Sequence, residues 1–279
     1  MSVSVVLKAG LVALSLYAAV AAATFFFQRH LLFFPSFTYE FSPSDAGLSY
    51  EQVWVNTEDG ERLHGWLIAA QPDSAGQGTV LFFQGNAGNK ASRIPLAANL
   101  SNAGYSVFLV DYRGYGQSTG QPPTEGGLYA DALASWRFLV DGRGIDPNNI
   151  VLFGRSLGGG PATWLATQVD ARALLLESTF TSVPNVAAYH YPILPVRWLA
   201  RYQFDSLSRI VDIGMPVHVI HGRGDEVVPF EHGQRLYGAA RSPKAFTATH
   251  DTHNRVSEET IRARLEALRG AGERPSPGT

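Results

Sequence analysis

The chain has 279 residues, of which 45% are hydrophobic and 16% are charged, and its formal net charge at pH 7 is −2. This is enough apolar material for one α/β domain with a full core. The near-neutral charge and the lack of a basic cluster argue against a nucleic-acid partner. The absence of cysteine excludes disulfides, thiolate metal sites and a cysteine nucleophile.

The N-terminal segment is predicted to anchor the protein in a membrane. From Ala9 to Phe27 the chain is apolar and uncharged, and a run of about 20 such residues crosses the hydrocarbon core of a bilayer. Small residues at 19–23 offer a cleavage site, so a secretory signal is the alternative. Because the run continues through three phenylalanines without a break, a retained single span within residues 1–30 is favoured. Positive charge flanks the run on both sides, so the side of the membrane that the domain faces stays open.

Beyond residue 30, apolar patterning predicts a sheet flanked by helices. Val53 and Val55 alternate with polar or aromatic neighbours, and Asp59-Gly60 is a hairpin signal before a second strand at 63–68. Short continuous apolar runs predict buried strands at 79–83, 107–110, 150–153, 173–177 and 217–221. Apolar residues at helical spacing lie between these runs, so the predicted fold class is α/β with a mostly parallel sheet.

The loop after the strand at 79–83 reads Gln-Gly-Asn-Ala-Gly-Asn at 84–89. In a sheet that carries a nucleophile, such a loop donates one backbone N–H to an oxyanion hole, and the residue after the nucleophile donates the other. The two donors are therefore assigned to Asn86 and Leu157. The alternative interpretation is a plain turn between a strand and a helix.

The strand at 150–153 leads into Gly-Arg-Ser-Leu-Gly at 154–158, the pattern Gly-x-Ser-x-Gly. When a strand turns this sharply into a helix, the serine takes a strained backbone conformation and its hydroxyl projects above the sheet. Gly154 and Gly158 leave room for the turn, and the following helix points its N–H groups at the reacting centre. The pattern predicts Ser156 as a nucleophile, although a five-residue pattern also arises by chance.

An aromatic, proline-punctuated segment follows at 180–203 and is predicted to form a short cap over the site. A helix pair that simply packs on the core is the alternative interpretation. If the segment is a cap, it shapes an apolar pocket for an acyl group. Further on, Ile261, Leu265 and Leu268 mark the last helix, which is predicted to stop at Gly270.

A serine nucleophile needs a base, and the base needs an orienting acid. In this architecture the acid and the histidine follow the serine in that order. Asp225 lies in the loop after the last apolar strand, at the sheet edge where ligands bind, and is assigned as the acid. Glu226 beside it and Glu177 at another strand end are the competitors. His253 is assigned as the base, and His250 is the alternative because spacing alone does not decide.

Seven stretches resemble the small membrane-anchored α/β-hydrolases, the group that includes the eukaryotic depalmitoylases and many bacterial relatives. They run from the anchor to the loop before the last helix, at 28–36, 84–89, 111–120, 154–158, 177–182, 204–207 and 253–254. The resemblance implies an α/β-hydrolase fold with an antiparallel start, and it implies that the histidine before an asparagine, here His253, is the base. The family usually has histidine where this chain has Gln84.

These interpretations combine into one expected organisation: an anchor at 1–30, an α/β-hydrolase domain at 31–270 and a disordered tail at 271–279. The predicted activity is hydrolysis of an ester or thioester through Ser156 and its partners. The expected substrate is a small-molecule or lipid-like acyl compound, or else an acylated protein. Membrane lipid is expected as a further partner, which the anchor contacts. A serine peptidase, or a non-catalytic membrane-tethered binding protein on the same scaffold, is the alternative.

No cofactor and no metal are predicted. Three glycines between 114 and 120 lack the dinucleotide spacing, and no Gly-Lys-Ser or Gly-Lys-Thr follows the glycines at 158–160. His218 and His221 point to opposite faces of one strand, because the strand period is two. The residues at 250–253 form only a weak alternative cluster for a metal.

Overall fold

The fold is built on a large central sheet with a small two-stranded pair beside it. The structure is a computed structural model that describes residues 3–120, 122–241, 243–254 and 257–271. Its strands are β1 (Phe34–Pro35), β2 (Tyr50–Asn56), β3 (Arg62–Ile68), β4 (Gly78–Phe83), β5 (Ala87–Gly88), β6 (Tyr105–Val110), β7 (Ile150–Arg155), β8 (Ala173–Glu177), β9 (Val217–Gly222) and β10 (Lys244–Thr249).

The large sheet has the strand order β10-β9-β8-β7-β4-β6-β3-β2. Strands β2 and β3 form an antiparallel hairpin, and β3 also pairs with β6 in antiparallel register. From β6 to β10 the neighbouring strands are parallel. The small pair consists of β1 and β5, also parallel. The mostly parallel sheet with an antiparallel start, as the sequence predicts, is confirmed.

Helices cover both faces of the large sheet, which is why its strands are apolar on both sides. The α-helices of the described residues are α1 (Val3–Leu32), α2 (Ile94–Asn102), α3 (Glu125–Arg137), α4 (Gly159–Ala166), α5 (Val183–His190), α6 (Val196–Leu199), α7 (Ser206–Ile210), α8 (Phe230–Ala239) and α9 (Glu258–Ala271). Helices α3, α4, α7 and α8 bury their apolar side chains in one core, and α2 and α9 bury theirs in a second core on the opposite face. In β7, Leu152 points into the first core while Val151 and Phe153 point into the second.

Helix α1 is apolar and stands apart from the sheet. Among the described residues it is the one helix that is long and apolar enough to cross a membrane, with a mean hydropathy of 2.0 over its best window. The span predicted at 9–27 lies inside it. The boundary predicted between anchor and hydrolase domain at residue 30 falls within the helix, because α1 continues to Leu32 and contacts α6.

The segment at 180–203, which is predicted to form a cap and is called the cap below, contains α5 and α6. Prolines mark the starts of both helices: Pro184 is the second residue of α5, and Pro195 directly precedes α6. At the other end of the chain, α9 ends at Ala271, one residue beyond the predicted stop. The tail predicted at 271–279 therefore begins at the last helical residue, and 272–279 lie outside the described residues.

Three buried histidines should make the protein sensitive to acid. Burial lowers the pKa of His64, His218 and His232 to about 4, below the unfolded value of about 6.5. Between these values the unfolded chain binds protons that the folded chain does not, so stability is full above pH 6.5 and falls as the pH drops towards 4. The three histidines should contribute an uptake of as many as three protons to unfolding near pH 5. Burial raises the pKa of Asp131 to about 6 and that of Glu177 above its usual value, so these two carboxyls offset part of this uptake. The slope of the unfolding free energy against pH measures the sum.

A single replacement provides the control for this pH dependence. His218 forms a hydrogen bond through Nε2 with Thr247 Oγ1 at 2.9 Å, and glutamine at this position keeps a polar group without a titrating one. His218→Gln should lower the slope by about one proton. An equal slope in His218→Gln and in the unmodified chain between pH 6.5 and 4.5 contradicts the prediction.

Candidate active site

The centre of the site is the tight turn between β7 and α4. Ser156 has φ of 52°, one of three positive values at non-glycine residues in the described ranges. Such a backbone is strained for a residue with a Cβ, and it projects the serine hydroxyl above the strand ends. The turn needs glycine on both sides: a Cβ on Gly154 would lie 2.6 Å from the carbonyl oxygen of Gly158, and one on Gly158 would lie 2.0 Å from that of Phe83.

A line of hydrogen bonds runs from the serine through an imidazole to a carboxylate. His253 Nε2 lies 3.0 Å from Ser156 Oγ, and His253 Nδ1 lies 2.8 Å from Asp225 Oδ2 and 3.0 Å from Asp225 Oδ1. All three partners come from different parts of the chain: the β7–α4 turn, the loop after β9, and the loop between β10 and α9. The structure thus brings together the three side chains that the sequence predicts.

Asp225 is held as an ionised acceptor. Its Oδ1 accepts backbone N–H groups of Val227 at 3.0 Å and Val228 at 2.8 Å, and His221 Nε2 lies 3.3 Å from Oδ2. Burial alone would raise the pKa of Asp225, but hydrogen bonds from His221, His253 and the Val228 backbone hold it well below its usual range. An ionised Asp225 keeps the His253 proton on Nδ1, so Nε2 presents its lone pair to Ser156.

The competing candidates lie elsewhere. Glu226 and His250 are exposed. Glu177 is fully buried, and its Oε1 lies 3.4 Å from Arg155 Nε. Arg155 in turn donates through Nη2 to the carbonyl oxygen of His253 at 3.4 Å. Burial raises the pKa of Glu177. Glu177 therefore supports the histidine loop through Arg155, whereas Asp225 bonds to the imidazole itself.

Comparisons with known proteins agree with this architecture. A family model described as alpha/beta hydrolase fold matches residues 78–202. A Mycobacterium tuberculosis protein is 41% identical over 243 residues, which cover 87% of this chain and 86% of that protein. The alpha/beta hydrolase domain-containing protein WAV2 of Arabidopsis thaliana is 36% identical over 241 residues, or 78% of each chain.

The chain belongs to the α/β-hydrolase family. A solved structure shares the fold: the Pyrococcus furiosus esterase Pf2001 superimposes with a TM-score of 0.71 over 86% of this chain and 99% of its own, at 22% sequence identity. The resemblance noted from the sequence motifs is thereby confirmed at the level of family and fold.

The loop at 84–89 of this α/β-hydrolase lies against the nucleophile. A Cβ on Gly85 would lie 3.6 Å from Ser156 Cβ, and Asn86 lines the same cavity as Ser156 and Leu157. Asn86 is held through its backbone and its side chain: its carbonyl oxygen accepts from Phe34 N at 2.9 Å, and its side-chain amide donates to the Leu32 carbonyl at 3.0 Å. Asn86 and Leu157, the residues predicted to donate to an oxyanion, therefore line the same cavity as Ser156.

A buried polar cluster anchors this loop, and the sequence reasoning did not single it out. Asp111 accepts the backbone N–H of Lys90 at 2.8 Å and its ammonium at 2.6 Å, and it accepts the side-chain amide of Gln84 at 3.4 Å. Gln84, which replaces the usual histidine of the family, therefore braces the loop through Asp111. The available signal was an aspartate directly after the apolar strand that ends at Val110.

Above Ser156 lies a cavity of about 450 Å³, a size typical of small-molecule sites. Its floor is formed by Ser156, Leu157 and Asn86, and the loop at 227–228 closes one side. The remaining walls come mainly from the cap and from α1. Apolar side chains from the cap region dominate this lining: Phe180, Val183, Val186, Leu194, Val196 and Leu199. Such a cavity accommodates an acyl chain far better than a charged group.

In the part of the chain that the structure describes, no group of three or more histidine, aspartate, glutamate or cysteine residues is placed to hold a metal ion. His218 bonds to Thr247 on the neighbouring strand, and His221 lies beside Asp225. The two histidines therefore lie on opposite faces of β9 and have different partners, as expected for residues three apart on a strand.

The turn around the nucleophile should tolerate no side chain at Gly158. A Cβ there meets the carbonyl oxygens of Phe83 and Gln84 at 2.0 and 2.6 Å, and backbone atoms of a central strand do not move aside cheaply. We expect Gly158→Ala to lower the free energy of unfolding by about 3 kcal/mol, measured by urea denaturation.

Gly126 in α3 provides the matched control, because a Cβ there meets nothing within 4 Å. Gly126→Ala should stabilise the protein by about 0.5–1 kcal/mol through the lost backbone entropy of glycine. Equal stability effects of the two replacements would mean that the turn relaxes around Gly158.

Proposed function

We propose that this protein is a serine hydrolase that cleaves an ester or thioester bond of an acyl substrate near a membrane. The observation that carries the proposal is the unbroken hydrogen-bonded line from Ser156 Oγ through His253 to Asp225, with distances of 3.0 and 2.8 Å. This arrangement matches the chemical needs of a nucleophile, a base and an orienting acid.

In the first half-reaction the hydroxyl proton of Ser156 moves to Nε2 of His253 while Oγ bonds to the substrate carbonyl carbon. The carbonyl oxygen becomes an oxyanion, which backbone N–H groups of Asn86 and Leu157 stabilise. When the intermediate collapses, the bond to the leaving oxygen or sulfur breaks. The leaving group takes the proton from Nε2, and the acyl group stays on Ser156.

In the second half-reaction a water molecule replaces the alcohol or thiol. Nε2 of His253 takes a proton from this water as its oxygen attacks the acyl carbon, and the bond from that carbon to Oγ then breaks. Ser156 regains its proton from the imidazole, and the carboxylic acid leaves. Ionised Asp225 stabilises the imidazolium in both halves without taking its proton.

The cavity and the anchor support the choice of substrate class. The walls above Ser156 are mainly aliphatic and aromatic, which favours an apolar acyl group. Helix α1 supports a location at a membrane, with an anchor at 1–30 ahead of a catalytic domain at 31–270. The fold is also that of an esterase from Pyrococcus furiosus, although a likeness of 22% identity speaks for the fold alone.

Labelling by a fluorophosphonate probe tests the proposal, since the probe phosphonylates a serine only when a base activates it. We expect one adduct per chain, mapped by mass spectrometry to Ser156. Ser178 provides the control, because it also has positive φ, at 47°, and is fully buried. Ser178→Ala should keep the label.

The outcomes separate the candidate functions. A folded protein without an adduct at Ser156 contradicts the proposal and favours a membrane-tethered binding protein. A labelled protein that cleaves acyl esters or thioesters supports it. A labelled protein that cleaves only peptide substrates is instead a serine peptidase.

A further inference from the structure

Helix α1 forms one wall of the cavity above Ser156. Five of its residues line the cavity together with the nucleophile: Val20, Thr24, Gln28, Leu31 and Leu32. Their spacing of four, four and three residues, followed by a neighbour, places them on one helix face. The helix that a sequence reading treats only as an anchor is therefore part of the candidate binding site.

Hydrogen bonds join α1 to the cap at two positions along the helix axis. Gln28 donates through Nε2 to the Leu199 carbonyl at 2.6 Å and accepts the Arg201 N–H through Oε1 at 2.8 Å. Eleven residues earlier, the Tyr17 hydroxyl donates to the Ile193 carbonyl at 2.9 Å. These two levels are about 16 Å apart along the helix axis. The cap thus follows α1 for roughly a third of the helix's 30 residues.

The same contacts place the cap at a bilayer surface. A helix needs about 20 residues to cross the hydrocarbon core, so a span that begins at Val3 leaves the core near residue 22. Tyr17 then lies five residues, about 8 Å, inside the core, so its contact with Ile193 places the tip of the cap within the bilayer. The cavity, which is lined from Val20 onwards, then begins at the boundary of the core. A span at 9–27 would place the tip of the cap still deeper.

The tip of the cap, residues 189–198, carries several large exposed apolar and aromatic side chains. Ile193 is 79% exposed and Trp198 is 90% exposed. Tyr189 and Tyr191 are also exposed large side chains of this region, and tyrosine and tryptophan favour the interface between lipid and water. A cluster of such exposed residues on a protein surface usually marks a site where a protein, a ligand or a membrane binds. Because Ile193 bonds to Tyr17 of α1 and α6 contacts α1, the bilayer that holds α1 is the occupant that the geometry favours.

We propose that α1 and the cap tip form a mouth that faces the bilayer, and that the acyl chain of a membrane-resident amphiphile passes between them to Ser156. The inference rests on the proposed hydrolase function and narrows its substrate class to long-chain esters or thioesters held in lipid. Val20 and Thr24 are then specificity-determining residues, although they lie in the predicted anchor.

A chain-length comparison on the full-length protein in lipid nanodiscs tests the wall. Thr24→Phe places a ring in the path of the acyl chain, so the ratio of kcat/KM for p-nitrophenyl dodecanoate to that for the acetate should fall roughly tenfold, the effect of excluding about two methylene groups. Ala22→Phe adds the same side chain two residues away, on an exposed part of the helix, and should leave this ratio unchanged. An unchanged ratio in Thr24→Phe, or an equal fall in both variants, overturns the proposal.

The depth of the cap tip in the bilayer tests whether the mouth faces the membrane. The chain has no cysteine, so Ile193→Cys accepts a single environment-sensitive fluorophore. We expect lipids with a spin label in the acyl chain to quench this fluorophore. Asn148→Cys is the control, because Asn148 is exposed beside the N-terminal end of β7, at the sheet edge opposite the site. Equal quenching at both positions, or none at 193, overturns the proposal.

The two proposals fail in different ways. If the unmodified protein takes no fluorophosphonate label and cleaves neither ester, the hydrolase function is wrong. If the unmodified protein is labelled and active but the Thr24→Phe ratio does not change, only the role of α1 is wrong.

Discussion

Ser156→Ala should lower kcat for ester hydrolysis by about 10⁶-fold, the loss seen when a hydrolase of this mechanism lacks its nucleophile. The methyl group of alanine cannot bond to the carbonyl carbon, so no acyl-enzyme forms and His253 has no proton to accept. The residual rate would come from binding and from the oxyanion donors alone. Hydrolysis of a chromogenic short-chain ester under saturating substrate measures the effect.

The loss must come from chemistry and not from unfolding. Alanine at 156 removes one oxygen atom and keeps the Cβ, so the turn between β7 and α4 should persist, and the melting temperature should stay within a few degrees. Ser178→Ala serves as the matched replacement and should keep its activity. If Ser156→Ala retains more than about a hundredth of the activity, Ser156 does not act as the nucleophile.

Asp225→Asn should lower kcat by about 10⁴-fold while the site keeps its shape. The asparagine amide can donate to Nδ1 of His253, which moves the imidazole proton to Nε2. In that tautomer Nε2 points an N–H at Ser156 and cannot take the hydroxyl proton. The backbone N–H groups of Val227 and Val228 still find an oxygen acceptor. Steady-state kinetics on the same ester would show a fall in kcat with little change in KM.

Two further replacements test whether Asp225 is the acid. Glu226 is exposed next to it, and Glu226→Gln should leave kcat within about twofold, as expected for a surface change. Glu177→Gln replaces the carboxyl group whose Oε1 lies 3.4 Å from Arg155 Nε. It should cost no more than about tenfold, because it acts on the histidine loop only through Arg155. A loss of kcat in Glu177→Gln as large as that in Asp225→Asn contradicts the assignment of Asp225 as the orienting acid.

Much of this architecture could be read from local sequence. The β7–α4 turn was predictable because its glycines and serine lie within five residues, and the buried strands because each is a continuous apolar run. The start of the sheet was predictable from Asp59-Gly60, which lies between β2 and β3 as a hairpin signal should. In each case the determining interactions are short in sequence.

Tertiary structure decided what depends on distant partners. Glu177 is the last residue of β8, and Asp225 lies in the loop after the neighbouring parallel strand β9. Local sequence does not distinguish the two carboxylates, because the path of the distant loop that carries His253 decides which of them meets the imidazole. The brace from Gln84 to Asp111 likewise joins the ends of two strands that are far apart in the chain.

The sequence by itself determined the fold family, the turn that carries Ser156 and an apolar N-terminal helix. The role of that helix as a cavity wall was decided only in three dimensions. Hydropathy describes how apolar a helix is and not which of its faces meets the rest of the protein. The bonds of Tyr17 and Gln28 to the cap join residues more than 170 positions apart, and no local pattern encodes such a pairing.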